Sequence, residues 1–304
     1  MSVVPIVAVV GATASGKTDL SLDLAERLGG DVVNTDAMQV YRGMDIGTAK
    51  LPEADRRGIR HHLLDTLTVR DPLTVAEFQH EARAVIAELR GRGAPPVLVG
   101  GSALYTRAVV DRFEFPGTDP EVRARLEAEL TEVGPHALHQ RLHGLDPEAA
   151  ARILPENGRR VVRALEVIEI TGRPFTASLP QLEYVDPVTI QIGVEIDRDT
   201  LDARIERRVA HMFAAGLVEE VERLLGEGLA EGRTASRAIG YREVAAYLSG
   251  ELSLDEARER TFVATRRFAR RQESWFRRDP RIVWVRHDDP ERAERAVEAV
   301  RALG

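Results

Sequence analysis

The sequence predicts an α/β protein built on a P-loop doubly wound parallel sheet with a helical insertion domain. The phosphate-loop motif G-x-x-x-x-G-K-T at Gly11–Thr18 lies between a short β-branched apolar run and an amphipathic helical pattern. Short strand patterns then alternate with helical ones, which is typical of a parallel sheet covered by helices on both faces. Between them lies a stretch whose pattern is wholly helical. We therefore expect a core domain from residues 1–116 and 187–304, and an insertion domain from residues 117–186.

The predicted strands place three polar segments at one edge of the sheet. The runs VVPIVAVVG, DVVNTD, APPVLVGGS, VTIQIGVEID and RIVWVR each predict a buried strand, and helical patterns separate them. LDARIERRVAHMFAAGLVEEVERLL predicts one helix, and a longer helix is expected from about Asp255 to Phe276. Ligands bind at the carboxyl ends of parallel strands. We therefore expect three features to converge there: Asp36, Ser102 and the loop that follows Val10.

The composition limits the class of protein. With 43% hydrophobic and 30% charged residues, the chain is typical of a soluble globular protein. It contains no cysteine, which excludes disulfides, thiolate metal sites and cysteine nucleophiles and fits a cytoplasmic location. The amino terminus lacks a signal-peptide pattern, and no apolar run reaches the ~20 residues of a membrane span. We expect a cytoplasmic protein that does not bind membranes and acts as a monomer.

The choice between lysine and arginine is uneven along the chain. Of its 42 basic residues, 40 are arginine, and the only lysines are Lys17 and Lys50. An ammonium is a compact point charge, whereas a guanidinium is a planar fork, so both positions are predicted to require the compact charge. For Lys17 the phosphate loop explains the requirement. For Lys50 the sequence offers no explanation.

The phosphate loop predicts a diphosphate site. Its backbone amides form an anion-binding nest, and the helix that follows adds positive potential. Lys17 is expected to bridge phosphates, and Thr18 is expected to ligate Mg²⁺. The motif does not by itself specify a base or a ribose, so the ligand need not be ATP. The expected diphosphate contacts are Gly11, Thr13, Ala14, Ser15, Gly16, Lys17 and Thr18.

Asp36, at the end of the second predicted strand, allows two interpretations. As the acid beside a phosphate loop, it could hold magnesium, as in an ATPase. It could instead face the diphosphate as a general base. Spacing alone does not choose between these two roles.

Six segments together resemble one enzyme family. These are GATASGKT, NTDAMQVYRGMDIGTAK, HHLLD, PVLVGGSALY, RRVVRALEV and SRAIGYRE, in order from about Val7 to Trp284. The chain resembles the tRNA dimethylallyltransferases, prenyl transferases that modify the adenosine next to the anticodon. It departs from the usual family pattern at Ala37, where the family has serine, and at Ser102, where it has threonine. Ser102 keeps a hydroxyl, whereas Ala37 removes one.

The resemblance implies a magnesium-dependent transfer of a dimethylallyl group from dimethylallyl diphosphate to the exocyclic amine of the adenosine 3′ of the anticodon, releasing pyrophosphate. Asp36 would then be the base, and residues 36–39 (Asp36, Ala37, Met38, Gln39) with Ser102 would contact the adenine. Lys17, Thr18 and Ser102 complete the expected catalytic set. Arg204 and Arg208, one helical turn apart, are expected to reach the pyrophosphate.

The tRNA anticodon stem-loop is the expected macromolecular partner. Arginines on the helix RRVVRALEV suit phosphate contacts, and further family positions lie in DPEVRARL and around AIGY. The arginine-rich final third adds basic residues interleaved with aromatics, of which Phe262 and Trp275 are expected in the core. The predicted tRNA contacts outside the adenine site are Arg123, Arg159, Arg160, Arg163, Arg237, Gly240, Tyr241 and Arg242.

Three alternatives remain open from the residues. A cytokinin-type prenyltransferase would use the same chemistry on a free adenine nucleotide, without needing the arginines of the insertion. A P-loop kinase would phosphorylate a small metabolite, although no clear lid arginines are evident. A nucleotide-gated RNA-binding module would leave Asp36 without a role.

Overall fold

The computed structural model describes residues 4–113, 115–175 and 182–303. The chain forms two compact units, one from Met1–Val110 with Tyr184–Gly304 and one from Asp111–Glu183. The smaller unit begins at residue 111, six residues before the predicted start of the insertion at 117. It ends at residue 183, three residues before the predicted end at 186. The Val185 N–H donates to the Val110 carbonyl at 2.9 Å. This backbone pair joins the two crossover segments within the larger unit, and the Arg112 N–H donates to the Glu183 carbonyl at 2.8 Å within the smaller one.

The larger unit contains one six-stranded parallel sheet. Its spatial order is β3-β2-β4-β1-β5-β6, and every neighbouring pair is parallel, which confirms the predicted doubly wound fold. The third strand has only two residues, too few for a pattern to predict. The strands are β1 (Ile6–Val10), β2 (Asp31–Asn34), β3 (His61–His62), β4 (Pro96–Gly100), β5 (Thr189–Glu195) and β6 (Ile282–Arg286).

The described residues form eleven α-helices. They are α1 (Lys17–Leu28), α2 (Val75–Gly91), α3 (Ala103–Val110), α4 (Pro120–Leu145), α5 (Pro147–Arg152), α6 (Gly158–Thr171), α7 (Arg198–Ala214), α8 (Leu217–Gly226), α9 (Tyr241–Leu248), α10 (Leu254–Phe276) and α11 (Arg292–Arg301). The single helix predicted after β5 is divided into α7 and α8. The division occurs at Gly216, whose φ of 100° is not helical. Within the described ranges, no helix is long and apolar enough to cross a membrane.

Helices cover both faces of the sheet. Along β1, Val7 and Val9 pack with Leu20 and Leu24 of α1, together with apolar residues of α11. The alternate residues of β1 pack on the opposite face in a second cluster that includes Phe78 of α2. Because successive side chains of a strand point to opposite faces, a strand covered on both sides must be apolar throughout. That is the pattern of the first predicted strand.

The smaller unit is a separate helical cluster. Asp119 caps α4 by accepting the N–H groups of Glu121 and Val122. The helix is interrupted at Gly134, with φ 79° and ψ 167°, immediately before Pro135, as the sequence break suggested. The hydrophobic core of the smaller unit is formed by Leu126, Leu138, Leu142, Val161, Val162 and Leu165.

Candidate active site

The site lies at the carboxyl ends of three neighbouring strands, β2, β4 and β1. The phosphate loop follows β1, Asp36 follows β2, and Ser102 follows β4. The sheet order brings β4 between β2 and β1, so residues distant along the chain meet at one edge. This convergence is the one predicted from the strand pattern.

The phosphate loop leads directly into α1. Gly11 and Gly16 have φ values of 144° and 99°, which glycine adopts without strain. Lys17 begins the helix, and its Nζ donates to the Ala12 carbonyl at 2.6 Å. Burial and the nearby Arg208 charge lower the pKa of Lys17 to about 7, although Asp36 acts in the opposite direction. The ammonium of Lys17 therefore releases its proton far more readily than that of an ordinary lysine.

Asp36 lies on a hydrogen-bonded turn after β2. Its N–H donates to the Asn34 Oδ1 at 2.8 Å, and its own Oδ1 accepts the Met38 N–H at 2.9 Å. Burial raises the pKa of Asp36, an effect opposed by the Met38 N–H and the charge of Lys17. A carboxyl group with a raised pKa is a stronger proton acceptor than an ordinary aspartate, which is the property that a general base requires.

Asp36 lines two adjoining cavities of the larger unit. The narrower has a volume of about 90 Å³ and includes Lys17, Thr18, Asn34 and Gln39 in its lining. The wider has a volume of about 410 Å³ and is lined in part by Ala37, Met38, Ser102, Met212, Arg237, Phe268 and Arg271. Residues common to both are Thr13, Asp36, Thr48, Ala49 and Arg208. The carboxylate therefore lies where a phosphate-binding cavity meets a wider, more apolar one.

The two arginines predicted at the diphosphate have different surroundings. Arg208 borders both cavities, and its Nη1 donates to the Thr13 Oγ1 at 3.2 Å. Burial lowers its pKa, and among the described residues no carboxylate forms an ion pair with it. Arg204 instead donates to the Ser15 carbonyl at 3.3 Å and lines neither cavity. Arg208 is thus the partly buried cation that faces the site, whereas Arg204 stabilises the phosphate loop from outside it.

The segment DIGTAK is held against the rest of the core by Glu220. This buried carboxylate accepts the N–H groups of Asp45, Ile46 and Gly47 at 3.1, 2.8 and 3.2 Å. It also accepts the Tyr241 hydroxyl at 2.5 Å. Sequence reasoning missed Glu220, although a signal exists: it occupies an apolar position of α8, in register with Leu217, Val221 and Leu224.

The position of Tyr241 in the fold corrects the prediction that its side chain contacts tRNA. The side chain is fully buried, and a Cβ on Gly47 would lie 2.4 Å from its ring. Its position between Glu220 and the DIGTAK segment makes it part of the core rather than of an RNA-facing surface. Its neighbour Arg242 is exposed and paired with Glu243, whose carboxylate also caps Gly240 by accepting its N–H at 2.8 Å.

Lys50 ends the DIGTAK segment inside a cage of oxygens. Its Nζ donates to the Tyr41 carbonyl at 2.8 Å, to Asp45 at 2.7 Å and to Asp65 at 2.5 Å. The side chain is only 3% exposed, so these three acceptors replace its hydration shell. A compact ammonium can donate in three directions, which supplies the reason for lysine that the sequence lacked.

Replacing Lys50 should therefore destabilise the fold. We expect Lys50→Met to lower the free energy of unfolding by about 2 kcal/mol, since it removes three hydrogen bonds, two of them to carboxylates. Lys50→Arg should also be destabilised despite keeping the charge, because a planar fork is larger and donates in different directions. Urea denaturation measures both variants. An arginine variant as stable as the wild type would refute the requirement for an ammonium.

The smaller unit pairs two of its predicted RNA-contacting arginines with one buried acid. Arg123 and Arg163 both donate to Glu166, whose side chain is fully buried. Burial by itself would raise the pKa of Glu166, but the two guanidinium groups outweigh that effect and lower it. Arg159 and Arg160, by contrast, are exposed on α6. These two are the arginines of the helix that are most available to a partner.

The arginine-rich helix α10 differs from expectation in one aromatic residue. Trp275 is 51% exposed rather than part of the core, whereas Phe262 is partly buried and packs against a core cluster. Phe276, the next residue, takes the core position. Arg266 and Arg270 lie near Asp202, whereas Arg271 faces the wider cavity.

A parallel sheet with a phosphate loop, two partly buried cations and a carboxylate beside that loop defines a P-loop protein of the kind that acts on phosphorylated substrates. The family model for IPP transferase matches residues 39–279. The chain is 78% identical over 298 residues to a tRNA dimethylallyltransferase of Nocardioides, covering 98% of this chain and 96% of that protein. It is 61% identical to the enzyme of that name from Kineococcus radiotolerans, covering 93% and 90% of the two chains. The chain therefore belongs to the IPP transferase family.

Solved structures show the same relationship. A tRNA isopentenylpyrophosphate transferase from Bacillus halodurans matches with a TM-score of 0.71 and 40% identity, over 98% of this chain and 95% of that one. A eukaryotic dimethylallyltransferase described as acting on tRNA matches with a TM-score of 0.83 and 25% identity, over 98% and 77% of the two chains. Both matches span nearly the whole of this chain, as the resemblance of the six segments implied.

Proposed function

We propose that this protein transfers a dimethylallyl group from dimethylallyl diphosphate to the exocyclic amine of the adenosine 3′ of the anticodon in tRNA, releasing pyrophosphate. One observation carries the proposal: Asp36 lies at the junction of a cavity lined by phosphate-binding groups and a wider one. That placement suits a base which must reach an acceptor while facing a diphosphate. The names of the relatives at 78% and 61% identity support it.

The diphosphate would bind at the phosphate loop. Lys17 and Arg208 are partly buried beside it, and withdrawing a cation from water is costly unless a counter-ion accompanies it. The oxygens of a diphosphate supply that counter-charge. As the bond from carbon to oxygen breaks, negative charge grows on the leaving group, and the loop amides with these two cations stabilise it.

The residues present fit a magnesium ion that is shared with the substrate. No cluster of three or more acidic or histidine ligands occurs among the described residues, but Mg²⁺ commonly binds through substrate phosphates, waters and one or two protein oxygens. The exposed Thr18 hydroxyl at the start of α1 lines the phosphate cavity and is the protein ligand we propose. When bound, the ion would neutralise charge on the leaving diphosphate.

The acceptor would enter through the wider cavity. Its lining includes Ser102 and the backbone after Asp36, and the exposed Arg237 lies at the same cavity. The exocyclic amine of adenine is a weak nucleophile, because its lone pair is delocalised into the ring. Asp36 would accept the amine proton as the bond from nitrogen to carbon forms, and Ser102 would hydrogen-bond the base. With Ala37 at the next position, the serine hydroxyl usual in the family is absent.

Exposed arginines would bind the RNA backbone. Arg159 and Arg160 on the smaller unit, and Arg237 and Arg242 on the larger, are exposed. Such contacts position a nucleic acid without reading its sequence. To reach a base inside the protein, the enzyme would take the adenosine out of the anticodon stack.

The arginines of α6 provide a test of RNA binding. The double variant Arg159→Ala/Arg160→Ala should weaken tRNA binding and reduce the slope of log affinity against log salt by about 2, because each arginine would neutralise one phosphate. Filter binding over a salt series measures this slope. The matched control is Arg125→Ala/Arg141→Ala on the same unit. There Arg125 is paired with Glu169, and Arg141 is paired with Glu129. Equal slopes for the two doubles would remove Arg159 and Arg160 from the interface.

The proposed activity is tested with labelled dimethylallyl diphosphate and a choice of acceptors. Incubation with tRNA should transfer the label to RNA and release pyrophosphate, whereas adenosine monophosphate should remain unlabelled. Labelling of the mononucleotide instead would favour the cytokinin-type reaction. Phosphate transfer from ATP to a small molecule, with no prenyl transfer, would favour a kinase.

A further inference from the structure

Gln272 is a buried polar residue of α10 to which the proposed transfer gives no role. Its Oε1 accepts the Thr13 N–H at 2.8 Å, and its Nε2 donates to the Gly101 carbonyl at 2.8 Å. Thr13 belongs to the phosphate loop, and Gly101 immediately precedes Ser102. One side-chain amide thus joins the loop that would hold the donor to the loop that lines the acceptor cavity.

Gln272 satisfies one backbone group in each of the two loops. Each offers a backbone group that lies outside the sheet ladder, and burying such a group without a partner is costly. A carboxamide presents one acceptor and one donor at a fixed separation, so glutamine satisfies both groups at once. Thr13 is held a second time, because Arg208 donates to its Oγ1 at 3.2 Å.

Gly101 fits this arrangement closely. A Cβ at Gly101 would lie 2.2 Å from the Nε2 of Gln272, well inside the distance that real atoms tolerate. Glycine at this position therefore admits the glutamine side chain to the space beneath the loop. The second glycine of the segment VLVGGS is explained by a residue 171 positions further along the chain.

We propose that Gln272 is a positioning residue that sets the relative position of the phosphate loop and the segment containing Ser102. The inference rests on the proposed function and deepens it. Phe268 and Arg271 of the same helix line the wider cavity, so α10 forms part of the acceptor cavity and orients the donor loop at once. Group transfer requires the reacting atoms at about 3–3.5 Å, and small displacements reduce turnover more than binding.

The test compares Gln272→Met with Gln191→Met. Methionine matches glutamine in length but makes neither hydrogen bond. Gln191 is equally buried in β5, where its amide donates to Tyr184 and Asp279 and lines neither cavity. We expect a similar loss of thermal stability in both variants, but only Gln272→Met should lose about 10- to 100-fold in kcat. Its Kd for inorganic pyrophosphate should stay within about threefold of the wild type, because the loop amides remain.

A second variant, Gln272→Glu, tests the donor half of the bridge. When protonated, its carboxyl group can accept from Thr13 and donate to Gly101, as the amide does. When ionised, it has no proton to donate and repels the Gly101 carbonyl oxygen. The ratio of variant to wild-type kcat should therefore rise as the pH is lowered. Taking the ratio removes the part of the Asp36 titration that is common to both proteins.

The inference is overturned if Gln272→Met loses no more kcat than Gln191→Met. It is also overturned if the ratio for Gln272→Glu does not change with pH. Should the methionine variant fail to fold, the glutamate variant at low pH decides the question. Failure of the proposed function would appear differently, as a wild-type protein that labels no tRNA.

Discussion

Asp36→Asn should lower kcat for dimethylallyl transfer by about 10²- to 10⁴-fold, the contribution of a positioned general base. Asparagine has the same size and can still accept the Met38 N–H, so the turn after β2 should be preserved. It cannot accept the proton that the adenine amine loses. The affinity for tRNA should stay within about threefold, because Asp36 would face the reacting base and not the phosphates that supply most of the binding.

The pH dependence of the wild type provides a second measure of the same residue. Because burial raises the pKa of Asp36, the carboxylate form is lost at a higher pH than for an ordinary aspartate. Activity should therefore be full above that pKa and should fall as the pH drops through it. Asp36→Asn should lack this acidic limb in its residual activity.

The control for charge is Asp19→Asn. Asp19 is exposed in the first turn of α1, near the loop, so its substitution removes one negative charge without removing the proposed base. We expect this variant to keep kcat within about threefold of the wild type. Turnover by Asp36→Asn at the level of the Asp19 variant would show that another group accepts the proton.

Lys17→Met should weaken pyrophosphate binding by about 10²-fold or more, since it removes a partly buried cation from the diphosphate. The pH dependence of binding should change with it. In the ligand-free protein the pKa of Lys17 is about 7, and a bound diphosphate must raise it, so binding takes up a proton above pH 7. Wild-type affinity should then fall by up to tenfold per pH unit above about 7.

Titration calorimetry with pyrophosphate between pH 6 and 9 measures this linkage. Pyrophosphate also changes its own charge over part of this range, so the comparison is between the slopes of the two proteins. The slope specific to Lys17 is the difference between wild type and Lys17→Met. Identical slopes would contradict the assignment of the lowered pKa to this lysine.

Patterns that depend on local sequence were predicted well. The phosphate loop, the strand before it and the helix after it are consecutive in the chain, and their backbone geometry follows from glycine placement and apolar periodicity. The position of Asp36 beside the loop followed from a rule about strand ends. The role of the exposed Arg159 and Arg160 as RNA contacts stays a prediction.

The burial and pairing of side chains whose partners are distant in the sequence were not predicted. Tyr241 lies beside a basic segment in sequence but is buried against Glu220, 21 positions away. Arg123 and Arg163 look alike in sequence to the exposed Arg159, yet both pair with the buried Glu166. Sequence neighbours do not reveal which charged side chain is buried, because burial is decided by packing between elements.

The sequence by itself determined the parallel α/β fold, the diphosphate loop and the family, because each is encoded by periodicity or by residues in contiguous segments. Only the tertiary structure decided how those segments are held together. Lys50 needed three acceptors from separate positions before its identity had a cause, and Gln272 needed two loops that both lie far from it along the chain. Hydrogen bonds between distant segments depend on the exact placement of whole elements, which local sequence does not specify.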